Sequence, residues 1–343
     1  MSRLRPFLPL LAIGGLASLP FAFEAGTTRF WQGVLIQIFI LAIYALSYDL
    51  LMGYTGIISF GHALFFGAGG YAAAILLRRP EPPSIFVVLA TVIGVGALLG
   101  LAVGALSLRV SGVYFSMITL ALAEIAFIIF KADDPKLKPL TGGEIGIQGI
   151  NVPAAIDPTT YRLRFYFLAL GCMVGLYLLA RRLVNSPTGR VFVAIRENEG
   201  RATALGYHTL RFKLAATALS STIAALAGML WVLYEKSASF EMLSVNITIQ
   251  ALLMTIIGGI GTLIGPMLGA ATIRLLDQWL KGPFMQELLP AWLRADLVFG
   301  LMYVALVLFF PAGLMGALRK WRGLAPKRSI DQIRQALKPK ASR

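Results

Sequence analysis

Apolar runs of roughly 20 residues, the length that carries an α-helix across a ~30 Å hydrocarbon layer, recur along the whole of this chain. They fall at about 7–23, 31–51, 62–78, 84–107, 112–130, 164–180, 212–234, 244–259, 263–280 and 291–311. Only 14% of the 343 residues are charged, against about 25% in soluble domains, and the mean hydropathy is +0.76. In lipid every backbone N–H and C=O must be satisfied inside the structure. The pattern therefore predicts an all-α polytopic membrane protein of about ten transmembrane helices.

Ten spans put both termini on one side. The tail 319–343 is dense in Lys and Arg, and so are 181–213 and the first residues Arg3 and Arg5. Basic residues collect on the cytoplasmic side of membrane proteins, so N- and C-termini are expected there. The net charge of +15 is then explained without nucleic acid as a partner. Residues 1–318 form one transmembrane domain, followed by a basic cytoplasmic tail. The N-terminus, "MSRLRPFLPLLAIGGLASLPFAFEAG", starts like a signal peptide but lacks a clear small-x-small cleavage site; a retained first span is expected. Splitting 244–280 at "GGIGTLIGP" requires a tight cytoplasmic turn, for which glycines and Pro266 are suited. Segment 131–163, rich in Pro, Gly and Asp, is expected as an ordered external loop.

Several residues stand out from this apolar background. "GYTGIISFGHALFFGAGGYAAAIL" (53–76) carries Gly53, Gly56, Gly61, Gly67, Gly69 and Gly70. Small residues let helix backbones approach closely, and glycine also marks broken helices beside a pathway. Close packing is expected of 67–70, while for 53–61 packing and a broken helix stay open. Gly53, Thr55, Ser59 and His62, with Tyr114, Thr119 and Glu124 of the fifth span, are expected along a translocation route. An intramembrane carboxylate is a functional hypothesis by default; for Glu124, structural hydrogen bonding is the competing reading. Asp49 and Arg109 belong at the same end and suit a structural ion pair. Cys172 is the single cysteine and His62 and His208 are far apart, which leaves no basis for a disulfide or a metal site.

A charged segment, "GRVFVAIRENEGRATALGYHTLRFK" (189–213), interrupts the oil. A connection between spans needs 2–8 residues, and this one has ~30. Its basic residues suit a membrane surface of lipid headgroups, but Glu197, Asn198 and Glu199 break the basic face. Two short helices joined at a glycine turn, protruding as a knob for a socket on another protein, fit better.

These segments resemble a known family. "AIYALSYDLLMGYTGIISFGHALFFGAGGYAAAIL" (42–76), "SGVYFSMITLALAEI" (111–125), "LTGGEIGI" (140–147), "SPTGRVFVAIRENEGRATALGYHTLRFKLAATALSSTIAALAG" (186–228) and "TIIGGIGTLIGPMLGA" (255–270) are similar to the M-type permease of branched-chain amino acid ABC importers. The resemblance runs from about 40 to 312. It implies a bacterial inner-membrane subunit pairing with a homologous H-type permease and two ATP-binding subunits, fed by a periplasmic substrate-binding protein. On that reading 185–213, between spans six and seven, carries the cytoplasmic coupling helices, with Arg196, Glu197, Asn198, Ala202 and Gly206 as ATPase-coupling residues. The broader importer family marks this segment with EAA and a later glycine; here only Ala202 and Gly206 fit. Thr141, Gly142, Gly143 and Glu144 of the external loop are expected to meet the binding protein.

The chain has no G-x-x-x-x-G-K-[ST] phosphate loop, so ATP and Mg are expected in partner chains, with no cofactor in this one. A membrane-embedded lipid enzyme would need clustered His, Asp or Glu, which scattered carboxylates do not provide. A stand-alone secondary transporter would need titratable or broken-helix sites near the midplane, for which Glu124 is the single candidate. The resemblance thus points to a non-catalytic subunit importing Leu, Ile and Val; urea, short amides or organic acids are the alternative cargo.

Overall fold

The computed structural model describes residues 14–20, 28–110, 112–282, 300 and 313–321. The expected first and tenth spans fall largely, and the basic tail beyond 321 wholly, outside the described residues. Helix α1 covers 14–20. It is followed by α2 (Thr28–Asp49), α3 (His62–Leu77), α4 (Ile85–Ser107), α5 (Val113–Lys131), α6 (Lys138–Thr141), α7 (Arg162–Val184), α8 (Pro187–Glu197), α9 (Glu199–Ala204), α10 (Thr209–Glu235), α11 (Val245–Gly258), α12 (Ile264–Leu280) and α13 (Gly313–Trp321). Among the described residues, five stretches are long and apolar enough to cross a membrane: Thr28–Tyr54, α4, α5, α7 and α10. The helix positions agree with the hydropathy runs to within a few residues.

The bundle has two distinguishable ends. At one, the start of α2 accepts a hydrogen bond from Arg162 through the Arg29 carbonyl, and Asn151 N–H donates to the Leu77 carbonyl. Lys236, just after α10, pairs there with Asp157 at 2.8 Å. This is the loop end. At the other, Asp49 meets the turn between α11 and α12, and Arg196 meets Gly53. This is the insert end, because it carries 185–213. The 244–280 stretch is thus two helices, and its turn shares an end with the charged insert, as the alternation of spans required.

Segment 131–163 is folded, with α6, two 3-10 turns and a two-residue strand, β1 (Ile147–Gln148), paired antiparallel with β2 (Ser237–Ala238). The strand pair is the one departure from an all-α fold among the described residues. Burial pushes the Asp157 carboxyl up, but the Lys236 ammonium and the Thr159 hydroxyl and N–H outweigh it and bring it down to about 2. A depressed carboxyl contributes stability above its ordinary value near 4 and loses it as pH falls toward 2. The clasp therefore persists at neutral pH.

Long helix α10 is the spine, packed along both α3 and α4, while α2 lies against α7, α10 and α12. Water drives none of this in lipid, so close contact has to. A Cβ on Gly69 would strike the Ala225 backbone, one on Gly228 the Phe66 carbonyl, and one on Gly96 the Thr222 Cα at 2.9 Å. The expectation of close packing at 67–70 holds for this reason. Gly69→Val should separate α3 from α10 and cost ~1–3 kcal/mol, read as a lower Tm of the detergent-solubilised chain. Gly94→Val, where a Cβ meets nothing within 4 Å, should leave Tm unchanged.

Candidate functional site

At the insert end α2 does not stop cleanly. After Asp49 it widens into one π turn, Leu50–Tyr54, a form found mostly as single-turn bulges at functional positions. The chain then runs non-helically through 56–61 before α3 begins at His62. His62 Nε2 lies 2.8 Å from Ser47 Oγ, two turns up α2 from Tyr54, so α3 starts inside the bundle and not at its surface. Helix 28–54 is therefore followed by a broken segment, the alternative left open from sequence.

Bare backbone inside a membrane bundle is tolerated only where protein satisfies it. Here hydroxyls do so. Tyr48 donates to the Ser59 carbonyl at 3.1 Å and Ser116 to the Ile58 carbonyl at 2.7 Å. Thr119 Oγ1 accepts from Phe60 N–H, Ser59 Oγ from Gly61 N–H, and Thr248 Oγ1 from Ala63 N–H. Thr55 donates to the Leu51 carbonyl. Gly56, at φ +75°, makes the turn that starts the break, and Arg196 packs over it. Of the residues expected along a route, Thr55, Ser59, His62 and Thr119 are thus buried and engaged in holding this segment.

Gly53 is buried as well, whereas Tyr114 and Glu124 face away. Phe115, Ser116, Thr119 and Ala123 form the buried face of α5, whereas Tyr114 is 71% exposed and Glu124 is also exposed. Tyr114, Met117, Ile125 and Ile128 make an apolar outer surface around that carboxylate.

Asp49 is fully buried. The expected ion pair with Arg109 is not formed: Arg109 is exposed, and the carboxylate is taken by backbone. Asp49 Oδ1 accepts from Gly261 N–H at 2.6 Å and Oδ2 from Leu263 N–H at 3.0 Å. The first N–H groups of a helix lack intrahelical partners and carry partial positive charge. Asp49 thus ties down, from another helix, the turn that leads into α12, while Thr262 Oγ1 accepts from Gly265 N–H in the first turn itself. Sequence separation hid this, since 49 and 261 are neighbours only after folding. Gly53 permits it, because a Cβ there would lie 2.6 Å from Gly261 N, and Gly261 takes φ +72° in the turn.

The charged insert plugs into the same node. In α8, Ser186 caps the start by accepting from Gly189 N–H, and Pro187 opens the first turn. The break between α8 and α9 falls at Asn198, not at a glycine: its extended backbone ends one helix while its side chain caps the next, accepting from Arg201 N–H at 2.9 Å. Asx side chains compete for local N–H groups in this way. Gly200 lies within α9, and Gly206 serves the turn into α10. Val191, Ile195 and Ala202 bury against Phe212, and Lys213 pairs with Glu199 at 2.6 Å. The insert is folded back on the start of α10. Arg196 donates to the Gly53 carbonyl although the residue as a whole is exposed, as are Glu197, Arg201, Leu205 and Tyr207.

A cavity of about 720 Å³ lies between these parts, lined by Met52, Thr55, Phe60, Ser116, Arg196 and Lys213 among others. At the loop end, Thr141 is buried and bonded to Gly143 N–H, whereas Glu144 and Ile145 are exposed. Among the described residues no group of His, Cys, Asp or Glu could hold a metal ion.

Residues 30–307 match the family described as branched-chain amino acid transport system / permease component. The chain belongs to this family. The chain is similar to a probable branched-chain amino acid transport permease protein LivM of Methanocaldococcus jannaschii, 28% identical across 80% of this chain and 89% of the relative. It is also similar to the high-affinity branched-chain amino acid transport system permease protein LivM of Escherichia coli K12, 26% identical across 88% and 72%. An autoinducer 2 import system permease protein LsrC of Yersinia enterocolitica is 28% identical across 50% of this chain and 47% of its own length. No solved structure gives a significant match. The protein is a permease component of the ABC transporter class, a non-catalytic multi-pass membrane subunit.

Sequence reading missed Tyr48, Ser116 and Thr248 as backbone partners of the break. Ser116 and Thr119, three apart on one helix, were a legible signal; Thr248, 185 residues from Ala63, was not. Asp49→Ala should leave two buried N–H groups unpaired, at ~1–3 kcal/mol each, and lower the Tm of the purified chain. Asp49→Asn, which keeps one acceptor, should recover part of the loss. An unchanged Tm for the Ala variant would refute this tie.

Proposed function

We propose that this chain is the membrane-spanning permease subunit of an importer for branched-chain amino acids, powered by ATP hydrolysis in partner subunits. The observation that carries the reading is the insert: a folded two-helix unit with an exposed outer surface and one arginine rooted in the bundle. ATP and Mg are bound by two partner ATPase subunits, one of which seats on that surface. Glu197, Arg201, Leu205 and Tyr207 form the contact, and Asn198, Ala202 and Gly206 shape it. The insert end, with both termini and the basic tail, faces the cytoplasm of a bacterial cell, and ten spans cross its inner membrane.

Motion reaches the spans through Arg196. A push on α8 is transmitted to the Gly53 carbonyl and so to the π turn of α2, and through Asp49 to the turn that starts α12. These are the two places where helices are already interrupted. A homologous H-type permease covers the exposed face of α5, and Tyr114 and Glu124 then line a route at the joint between the two chains. Thr119, His62, Ser59, Thr55 and Gly53 support that route from behind. A periplasmic binding protein docks on the loop end, where Glu144 and Ile145 are exposed beside Thr141, Gly142 and Gly143. Similarity to permeases named for autoinducer 2 import favours a second reading, the same machinery with a different small solute.

Co-purification of the tagged chain should bring down a second permease and ATP-binding chains. In the assembled complex, Arg196→Ala should reduce substrate-stimulated ATP hydrolysis about tenfold, the scale of one charge-assisted hydrogen bond, ~1.5–3 kcal/mol. Glu197→Ala should reduce it less and leave Tm unchanged. Normal hydrolysis and transport in both variants would remove these residues from coupling.

A further inference from the structure

A second cavity lies in the half of the bundle toward the loop end, apart from the insert. It has a volume of about 290 Å³, is open on one side, and is lined by α2, α3, α10, α11, α12 and the stretch after β2. Its size is at the lower edge of the range for small-molecule sites, ~300–1,000 Å³. Its two sides differ in chemistry. Leu41, Phe66, Trp231, Met242 and Ile247 supply an apolar wall, with the Phe66 and Trp231 rings 6.3 Å apart. Gln37, Ser239, Glu241, Gln250 and Arg274 supply a polar one.

Charge placed this far along apolar helices is costly and tends to be functional. Gln37 is nine residues into α2, about 13 Å from its start at 1.5 Å per residue. The guanidinium of Arg274 is held in one orientation: Nε donates to Gln37 Oε1 at 2.9 Å, Nη2 donates to the same oxygen, and Nη1 donates to Asp277 Oδ2 at 2.5 Å. Gln37 is itself anchored, its Nε2 donating to Glu235 Oε1 at 3.1 Å. Arginine has five N–H donors, so one hydrogen on Nη1 and one on Nη2 remain beyond these contacts, the fork that suits a carboxylate. Glu241 is exposed and, among the described residues, forms no ion pair, although it shares the cavity with that cation. A cationic fork, an anionic carboxylate and an apolar wall around one small volume are complementary to a single class of solute.

We infer that this cavity is a solute subsite within the permease itself, taking an aliphatic α-amino acid as its zwitterion. Arg274 receives the carboxylate, Glu241 the ammonium, and the Phe66–Trp231 wall the branched side chain. The inference rests on the branched-chain amino acid reading above and extends it. Selection then operates twice, once at the delivering protein and once here.

The test uses the assembled importer without its binding protein, with leucine titrated while tryptophan fluorescence is followed. A saturable change should appear that Trp231→Phe abolishes. Glu241→Gln, at an exposed position outside the packing, should weaken it at least about fivefold, within the span of a charged hydrogen bond. 4-Methylpentanoate and leucinamide, each lacking one charge, should not reproduce it. Arg274→Lys should weaken leucine binding as well, and an unchanged Tm for Glu241→Gln separates recognition from misfolding. The subsite is overturned if leucine gives no saturable signal, or if Glu241→Gln binds it as the parent does, while the complete parent importer still accumulates leucine. Accumulation of a different solute and not of leucine would overturn the amino acid reading together with the subsite.

Discussion

An interrupted backbone inside lipid has to find partners for its N–H and C=O groups, and everything at the insert end is arranged around that requirement. The chain runs non-helically through 56–61 and resumes as α3 at His62, which is fully buried. Tyr48, Ser116, Thr119 and Thr248 reach it from three other helices, so the break fixes the relative placement of α2, α5 and α11. A packed apolar core alone would not specify that placement, because lipid tails are as apolar as leucine and give little drive to one helix arrangement over another.

The same logic explains the buried charge. A carboxylate at Asp49 would be expensive alone, but two N–H groups of the turn before α12 receive it. Those groups would otherwise be orphans themselves. Arg196 adds a cation beside the pair and anchors the insert to the carbonyl of Gly53. Two costly features, a π turn and a glycine turn, are thus each stabilised by the other's unmet groups.

Both ends of the bundle combine contacts to backbone with ion pairs. At the insert end Asp49 and Arg196 bond to backbone groups and Lys213 pairs with Glu199. At the loop end Arg162 and Asn151 bond to carbonyls, and side chains join in Lys236–Asp157 and the Glu235–Gln37–Arg274–Asp277 series. The α4 and α5 helices between them bury little of themselves within this chain. Their exposed Phe86, Leu98, Leu106, Tyr114 and Met117 belong to a surface meant for lipid or another chain.

Helix positions were legible from residue order, because bilayer thickness dictates the length of an apolar run. Each of the eight spans expected between residues 31 and 280 has its helix. The close contacts of 67–70 were readable too, since glycine repeats in lipid have few other uses. The caps Ser186 and Asn198 are local and lay in the sequence, although the α8–α9 break was assigned there to glycine. What only tertiary structure decided is which polar groups meet. Asp49 was matched to Arg109 by depth, yet Gly261 and Leu263 hold it; Glu124 and Tyr114 share a helix with Thr119 but face the opposite way. Hydropathy reports depth along the membrane normal and says nothing of rotation about the helix axis. Rotation is set by packing among segments far apart in sequence, through contacts such as Asp49–Leu263, separated by 214 positions.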